Sequence, residues 1–577
     1  MMTTEKNMKL LPKGMSNYRD VREQNRYYVD KTMYLPTLER AGNFLFLVRP
    51  RRFGKSLFLS MMSFYYDIAE ADNFDRLFAG TWIAEHPTPE KNKYLIMKLD
   101  FSRIGGSATD IATNFDIYGS PTLDIFVIRY KALLGEEILK GYHEQARFMG
   151  KFEYIMKATQ AKGLPIFLII DEYDNFTNNV LNQEGDEVYR ALTHGEGFYR
   201  TLFMKFKGAF PKILMMGVSP VTLDDLTSGY NIATNITADP RFNMMLGFSE
   251  DDVREMIEYY RGYGQISRPT DDIIAEMKPW YDGYCFASRC LDSDPKMFNS
   301  NMVLYYLNNL IDLDSVPETM VDPNTRTDYN KMKKIIQLDR LDETRRSIVH
   351  RIAEEGFIYG TLVEQFPAEA LIRKENFISL LYYYGMLTIS GTRGMMLKLG
   401  IPNNNVRRQY YGYLMEEYDA ICPWDESALL EPFYAAAVDG DWRPMLTTMA
   451  DAYEKNSAVR SLIEGERNIQ GFFTAYLSLN LYYLTAPEME LQHGYCDFFL
   501  MPDTERYPMV NHAYILELKY LPAGATPEAA ARQWDEAVNQ IRHYATDGRL
   551  PHYLQGRQLH LLVVQFVGSH AQRMEEV

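Results

Sequence analysis

FLFLVRPRRFGKSLFLS, from Phe44 to Ser60, runs from an apolar strand-sized segment through a basic loop into a helix-compatible stretch. A phosphate loop needs that order. Backbone N–H groups at a helix N-terminus point at the anion, a lysine adds charge, and a serine or threonine hydroxyl reaches magnesium. Gly54, Lys55 and Ser56 supply those parts. The leading glycine of G-x-x-x-x-G-K-[ST] is absent, and Arg49 stands in its place. The loop then has to turn without a left-handed residue at position 49, because a side chain there resists φ > 0. Arg49, Arg51 and Arg52 add positive charge at the phosphate site.

A lone GKS decides little; what it requires elsewhere decides more. The magnesium needs an acid at the end of another buried strand, and PIFLIIDEYD (165–174) ends its apolar run on Asp171 and Glu172. Asp171 is expected to hold the metal through water, and Glu172 to polarise the attacking water. Two acids at the solvent end of a strand are common by themselves, so the ATPase reading rests on both motifs in this order. A further run, YLIMKLDF (94–101), separates them and points to the additional-strand branch of P-loop ATPases. In that branch KILMMGVSP (212–220) would end in a γ-phosphate sensor, Ser219. Near-continuous apolar strands alternating with helices predict a parallel sheet covered on both faces.

Beyond this core, 577 residues predict three or four units at roughly 150 residues each. The pattern predicts an α/β P-loop ATPase domain over 1–250, a mostly helical region over 251–450 and an α+β domain over 451–577. Within the middle region, ENFISLLYYYGMLTISGTRGMMLKLGIPNNNV (375–406) reads as a helix and two strands around SGTRG. A winged-helix-like element and a packing hairpin fit it equally. A net charge of −16 argues against a surface coated for phosphate, although Lys331 to Arg351 carries seven Lys/Arg against three Asp/Glu. Such a run is ordinarily a solvated helix face. The N-terminus has no apolar h-region and the apolar runs are strand-sized, so nothing directs the chain into a membrane. Cys285, Cys290, Cys422 and Cys496 are too scattered for a disulfide framework, which fits a reducing cytoplasm, the expected location. Cys285 and Cys290 bracket FASR without further ligands nearby and read as plain thiols rather than a zinc site.

The last segment holds a second constellation. In YILELKY (514–520) the period of two puts Glu517 and Lys519 on one strand face. Asp497 begins an earlier strand twenty residues upstream, and the turn-rich PDTERYP permits a hairpin that brings it beside Glu517. Metal-dependent phosphodiester hydrolysis needs carboxylates converging on magnesium and a lysine near the attacking water. E-L-K alone is weak, but both acids sit in apolar strands, where unpaired carboxylates cost several kcal/mol each. A shared cation satisfies them, and so does a salt bridge to Lys519.

Together these motifs resemble the AAA-ATPase-like proteins that carry a C-terminal PD-(D/E)XK nuclease domain. The resemblance rests on YYVDKT (27–32), RPRRFGKS, LIIDEYD, GVSPVTLDDLTSGYNIATNI (217–236), WYDGYCF (280–286), YYYGMLTI with IPNNNV, and the terminal ELK block. It implies that an arginine-rich loop is normal, that YYVDKT borders the nucleotide, and that Glu490 is a further nuclease acid. Gln540 then matches a Gln-Ile-x-x-Tyr pattern, and Glu466 an acid on the upstream helix. Gly494-Tyr495-Cys496-Asp497 departs from a common Gly-Arg-x-Asp, losing an arginine suited to a backbone phosphate. Arg241 and Arg254 are both candidates for an arginine finger, and spacing does not choose between them.

The expected activity is ATP hydrolysis coupled to magnesium-dependent cleavage of nucleic acid, DNA rather than RNA, with manganese as an alternative metal. Gly54, Lys55, Ser56, Asp171 and Ser219 would bind ATP, with Ser56 and Asp171 at its magnesium and Glu172 catalytic. Glu490, Asp497, Glu517 and Lys519 would carry cleavage, with Asp497 and Glu517 as metal ligands. No membrane partner is expected, and a homo-oligomer is allowed. The rival reading is a nucleotide-switched module that grips nucleic acid or protein through a non-cleaving nuclease fold.

Overall fold

The computed structural model describes residues 8–103, 111–174, 198–206, 209–220, 233–313, 315–317, 319–322, 343–366, 370, 373–419, 426–457, 466–477, 479–491, 494–504 and 506–577. By contacts the chain divides into two compact units, 1–345 with 359–404, and 346–358 with 405–577. The region expected at 251–450 is thus shared between them. Its helices α4 (Glu250–Gly262), α5 (Thr270–Tyr281) and α6 (Ser300–Leu313) belong to the first unit. Among the described residues no helix is long and apolar enough to cross a membrane.

The first unit is built on a five-stranded sheet. The strands are β1 (Phe44–Val48), β2 (Leu95–Asp100), β3 (Ile166–Asp171), β4 (Lys212–Gly217) and β5 (Thr234–Asn235), in the order β2-β3-β4-β1-β5. Every pairing is parallel. The apolar runs explain this: β3 is buried at all six positions, so it needs cover on both faces. Helix α1 (Lys55–Tyr66) packs on β2 and β3, and α2 (Ile111–Arg129) packs on β2 and on α3 (Phe148–Ala161). The strand lying between the phosphate-loop strand and the Asp-Glu strand is β4, whereas YLIMKLDF, the run between the motifs in sequence, is β2 on the edge. SEDDVREM starts α4 with a capping box, Ser249 bonding the Asp252 N–H and Asp252 bonding back.

The helix and hairpin read from 375–406 are present as α7 (Lys374–Tyr383), β6 (Thr388–Arg393) and antiparallel β7 (Met396–Gly400). Their base packs on the phosphate loop. A Cβ on Gly385, at φ +78°, would come within 2.8 Å of Pro50, and Tyr382 donates to the Phe286 carbonyl at 2.9 Å.

The second unit has the α+β form expected of its sequence. β8 (Tyr483–Leu491), β9 (Gly494–Pro502), β10 (His512–Leu521), β11 (Gln558–Val567) and β12 (His570–Glu576) make one sheet in the order β12-β11-β10-β9-β8. β10 and β11 are parallel and joined through α9 (Pro527–Tyr544); the other pairings are antiparallel. Trp534, Ala537, Ile541 and Tyr544 of α9 bury against Phe499, Ile515 and Val563. Helix α8 (Glu466–Leu477) lies against β8 and β10.

Candidate functional sites

The phosphate loop resolves the missing glycine by moving the left-handed turn. Arg49 is absent from the positive-φ residues; Arg52 (φ +69°) and Gly54 (φ +86°) make the turn. Arg52 has a Cβ, so this conformation is strained, and the surroundings hold it. Its carbonyl accepts from Ser300 Oγ at 3.0 Å and from the Asn301 N–H at 3.3 Å, while Asn299 Nδ2 donates to the Arg51 carbonyl at 3.4 Å. The N-terminus of α6 therefore grips the loop by its carbonyls. Phe53 beneath it packs edge-on against Tyr284 and Phe286 of the WYDGYCF segment, at 4.9 and 5.5 Å.

Arg49 does not add charge to the phosphate site as expected. Its guanidinium is fully buried and donates to the carbonyls of Val48 (3.0 Å), Thr237 (2.7 Å) and Phe242 (3.0 Å), with the Phe286 ring 4.3 Å away. Burial pushes its pKa down to about 10. A planar fork of donors suits several converging carbonyls. Arg51 and Arg52 are the arginines that line the cavity.

That cavity, about 480 Å³, is bordered by the loop from Arg51 to Ser56, by Glu172, and by Tyr27, Tyr28, Val29 and Lys31 of YYVDKT. Lys31 is fixed by Asp252 at 2.6 Å. Gly54 caps α1, and the buried Lys55 donates to the carbonyls of Arg49 (3.0 Å) and Pro50 (2.9 Å). Burial lowers its pKa to about 8, against the opposing pull of Glu172 and Asp171. Ser56 lines the same cavity. Asp171 is buried at the end of β3, and its Oδ1 has no hydrogen-bond partner. A buried, unmet carboxylate oxygen on the strand end fits a cation or its water. Glu172 sits at φ +50°, and its pKa is raised by burial and by Asp174.

Asp174, to which the sequence reading gave no role, organises the neighbouring strand end. It accepts from the N–H groups of Val218 (3.2 Å) and Ser219 (2.7 Å), while Tyr173 donates to the Ser219 carbonyl at 2.6 Å. Ser219 is fully buried there and does not line the cavity. The third acid of DEYD was the visible signal, whereas FNSN at the start of α6 does not reveal which loop it grips. Both arginine-finger candidates are ion-paired, Arg241 with Asp239 and Arg254 with Glu250 and Asp271.

In the second unit the hairpin forms as its turn residues predict. Phe498 pairs with Leu516, so the ladder puts Asp497 beside Glu517. Asp497 Oδ2 accepts from the Leu518 N–H at 2.6 Å and Oδ1 from Gln470 of α8 at 2.7 Å. Glu517 is 1% exposed; Oε1 meets Lys519 Nζ at 2.7 Å and Oε2 has no partner. Burial, then the charge of Asp497, raises the Glu517 pKa to about 7. The salt bridge and the unmet oxygen thus coexist, and the second leaves a place for a cation. Among the described residues no three His, Cys, Asp or Glu side chains form a ready metal cluster. The side chains of Glu490 and Glu466 lie outside the described residues, as does most of the basic 331–351 segment. Gln540 does not meet the carboxylates; it donates to the Tyr544 hydroxyl, on which Glu517, Lys519 and Asp497 act electrostatically. Cys285, Cys290 and Cys496 are buried and not in disulfides, and Cys422 lies outside the described residues.

Comparison with known proteins divides the chain in the same way. Residues 12–227 match the AAA-ATPase-like family, described as predicted AAA-ATPases, and residues 464–576 match the PD-(D/E)XK nuclease superfamily. The chain thus has one match of each kind, each lying within one of the two units. A curated relative, the "Uncharacterized protein in vnfD 5'region" of Azotobacter chroococcum mcd 1, is 29% identical over 287 residues, 48% of this chain and 48% of that protein. The chain spans about half the length of that relative. Among solved structures, Cdc6p from Pyrobaculum aerophilum aligns at a TM-score of 0.25 and 10% identity, covering 65% of this chain and 88% of that one. The Aeropyrum pernix ORC2 protein in ADPNP-ADP complexes aligns at 0.25 and 10%, covering 68% and 98%.

Proposed function

We propose that the first unit binds and hydrolyses ATP and that the second cleaves nucleic-acid phosphodiesters, DNA in preference to RNA, with magnesium or manganese. The observation that most supports cleavage is Glu517 Oε2, buried and unmet beside Asp497 and Lys519. In the first unit, the amides following Gly54 would cradle the phosphates, and Lys55 would exchange its two loop carbonyls for phosphate oxygens. Ser56 and Asp171 would hold magnesium, and Glu172 would take the proton of the attacking water. In the second, Asp497 and Glu517 would hold the metal while Lys519 steadies charge at the scissile phosphate. Bound there, a divalent cation supplies charge neutralisation and a water of lowered pKa.

The test is a cleavage panel with and without ATP on single-stranded, linear and supercoiled DNA and on RNA, using wild type, Lys55→Ala and Asp497→Ala. Metal-dependent cutting lost in Asp497→Ala, with the ATP response lost in Lys55→Ala, supports the proposal. Substrate bound but left intact by wild type would make the second unit a grip rather than a nuclease.

A further inference from the structure

The hairpin of the first unit has an anchored base and a projecting tip. At the base, Thr388 Oγ1 accepts from the Cys285 N–H at 2.8 Å, and Ile389 and Leu399 are buried. At the tip, Gly394 turns at φ +62°, and Met395 and Met396 are 97% and 44% exposed. Nothing in the phosphate site uses this end. In the antiparallel register Arg393 opposes Met396 and Gly391 opposes Lys398, so Arg393, Met396 and Lys398 share one face. The Arg393 guanidinium lies over the Tyr359 ring, 5.5 Å from its centre.

The sequence around the hairpin is depleted of acid. From Asn376 to Met415, forty residues, there is no Asp or Glu, whereas 77 acids in 577 residues would place about five there (40 × 77/577). In a chain of net charge −16, the hairpin and its sequence neighbours thus bring no acid of their own to a polyanion. The remaining chemistry agrees. Arginine and lysine take phosphates, and an unbranched methionine at a turn conforms to an irregular groove and wedges against base edges.

We infer that the 388–400 hairpin is a contact for duplex DNA outside both candidate sites, with Met395 against the groove and Arg393 and Lys398 on flanking phosphates. It rests on the nucleic-acid reading above. The full chain is titrated with a short fluorescent DNA duplex in EDTA, so that binding is read without cutting, at several salt concentrations. Arg393→Ala is expected to lower the slope of log affinity against log salt by about 0.9, the signature of one lost phosphate contact. Met395→Ala is expected to weaken binding about five- to ten-fold with the slope unchanged, as for a groove contact. Both side chains are exposed, and an unshifted thermal midpoint confirms that each variant folds. Variants that bind the duplex as wild type does overturn the inference, and that is the result a protein-docking hairpin would give. Wild type that binds no duplex overturns it together with the nucleic-acid reading.

Discussion

The phosphate loop and the carboxylate hairpin each place a lysine close to acids, Lys55 buried and Lys519 partly exposed, and they use it in opposite ways. Lys55 Nζ rests on two neutral carbonyls, those of Arg49 and Pro50, while the Asp171 oxygen stays unmet. Lys519 is paired directly with Glu517, which keeps only its second oxygen unmet. A lysine on carbonyls can change to an anion at little cost, because it gives up neutral partners for charged ones. A lysine locked to a carboxylate instead fixes where that carboxylate points. The first arrangement suits capture of a phosphate chain, and the second suits a fixed metal ligand.

The largest expected break in this contrast comes at Glu172. Glu172→Gln should retain ATP binding and lower turnover about a thousand-fold, the scale of a lost general base; equal turnover in a phosphate-release assay would remove Glu172 from the chemistry. Next is Arg49, which supports the loop from behind. Arg49→Ala leaves three buried carbonyls without their donor and should cost about 3 kcal/mol of stability in urea unfolding. An unchanged midpoint would show that the loop does not depend on this clamp. Gln470→Ala frees Asp497 Oδ1 and should weaken divalent-metal affinity about 10- to 100-fold, as for other outer partners of metal ligands. Calorimetric titration with manganese measures it, and unaltered affinity would mean that Leu518 N–H alone orients Asp497.

The smallest effect, and the one that sharpens the contrast most, is pH. Glu517 titrates near 7 and must be ionised to hold a cation, so metal affinity should climb as pH rises through about 7. In the metal-free unit the folded chain holds that proton more tightly than the unfolded one, so the stability contribution is full in acid and is lost as pH rises through about 7. Lys55 titrates near 8 and loses its charge above it, so ATP affinity should fall as pH rises past about 8. Parallel binding curves from pH 6 to 9 should therefore run in opposite directions. Curves of the same sign would contradict this assignment of the two groups.

Much of this was legible because it depends on local chemistry. The apolar runs from Phe44, Leu95, Ile166 and Lys212 are the parallel strands, and the turn between Met501 and His512 is the hairpin that joins Asp497 to Glu517. Arg49 was misplaced because an arginine beside a phosphate loop looks like an anion ligand. Only the fold brings Thr237 and Phe242 round to receive its donors. Gln470 lies 27 residues from Asp497, and Asn299 to Asn301 lie nearly 250 from the loop they grip, so no spacing could join them.

The sequence by itself determined the strands, the Gly54-Lys55-Ser56 amides, the Asp171-Glu172 strand end and the Glu517-Lys519 face, since each follows from backbone period and residue type within a few positions. Tertiary structure alone decided that β4 would stand between β1 and β3 and that the left-handed turn would fall on Arg52 instead of Arg49. It also decided which carboxylate oxygens stay unmet. Strand order, strain and burial are settled by partners distant in sequence, and a partner is a property of the packed molecule.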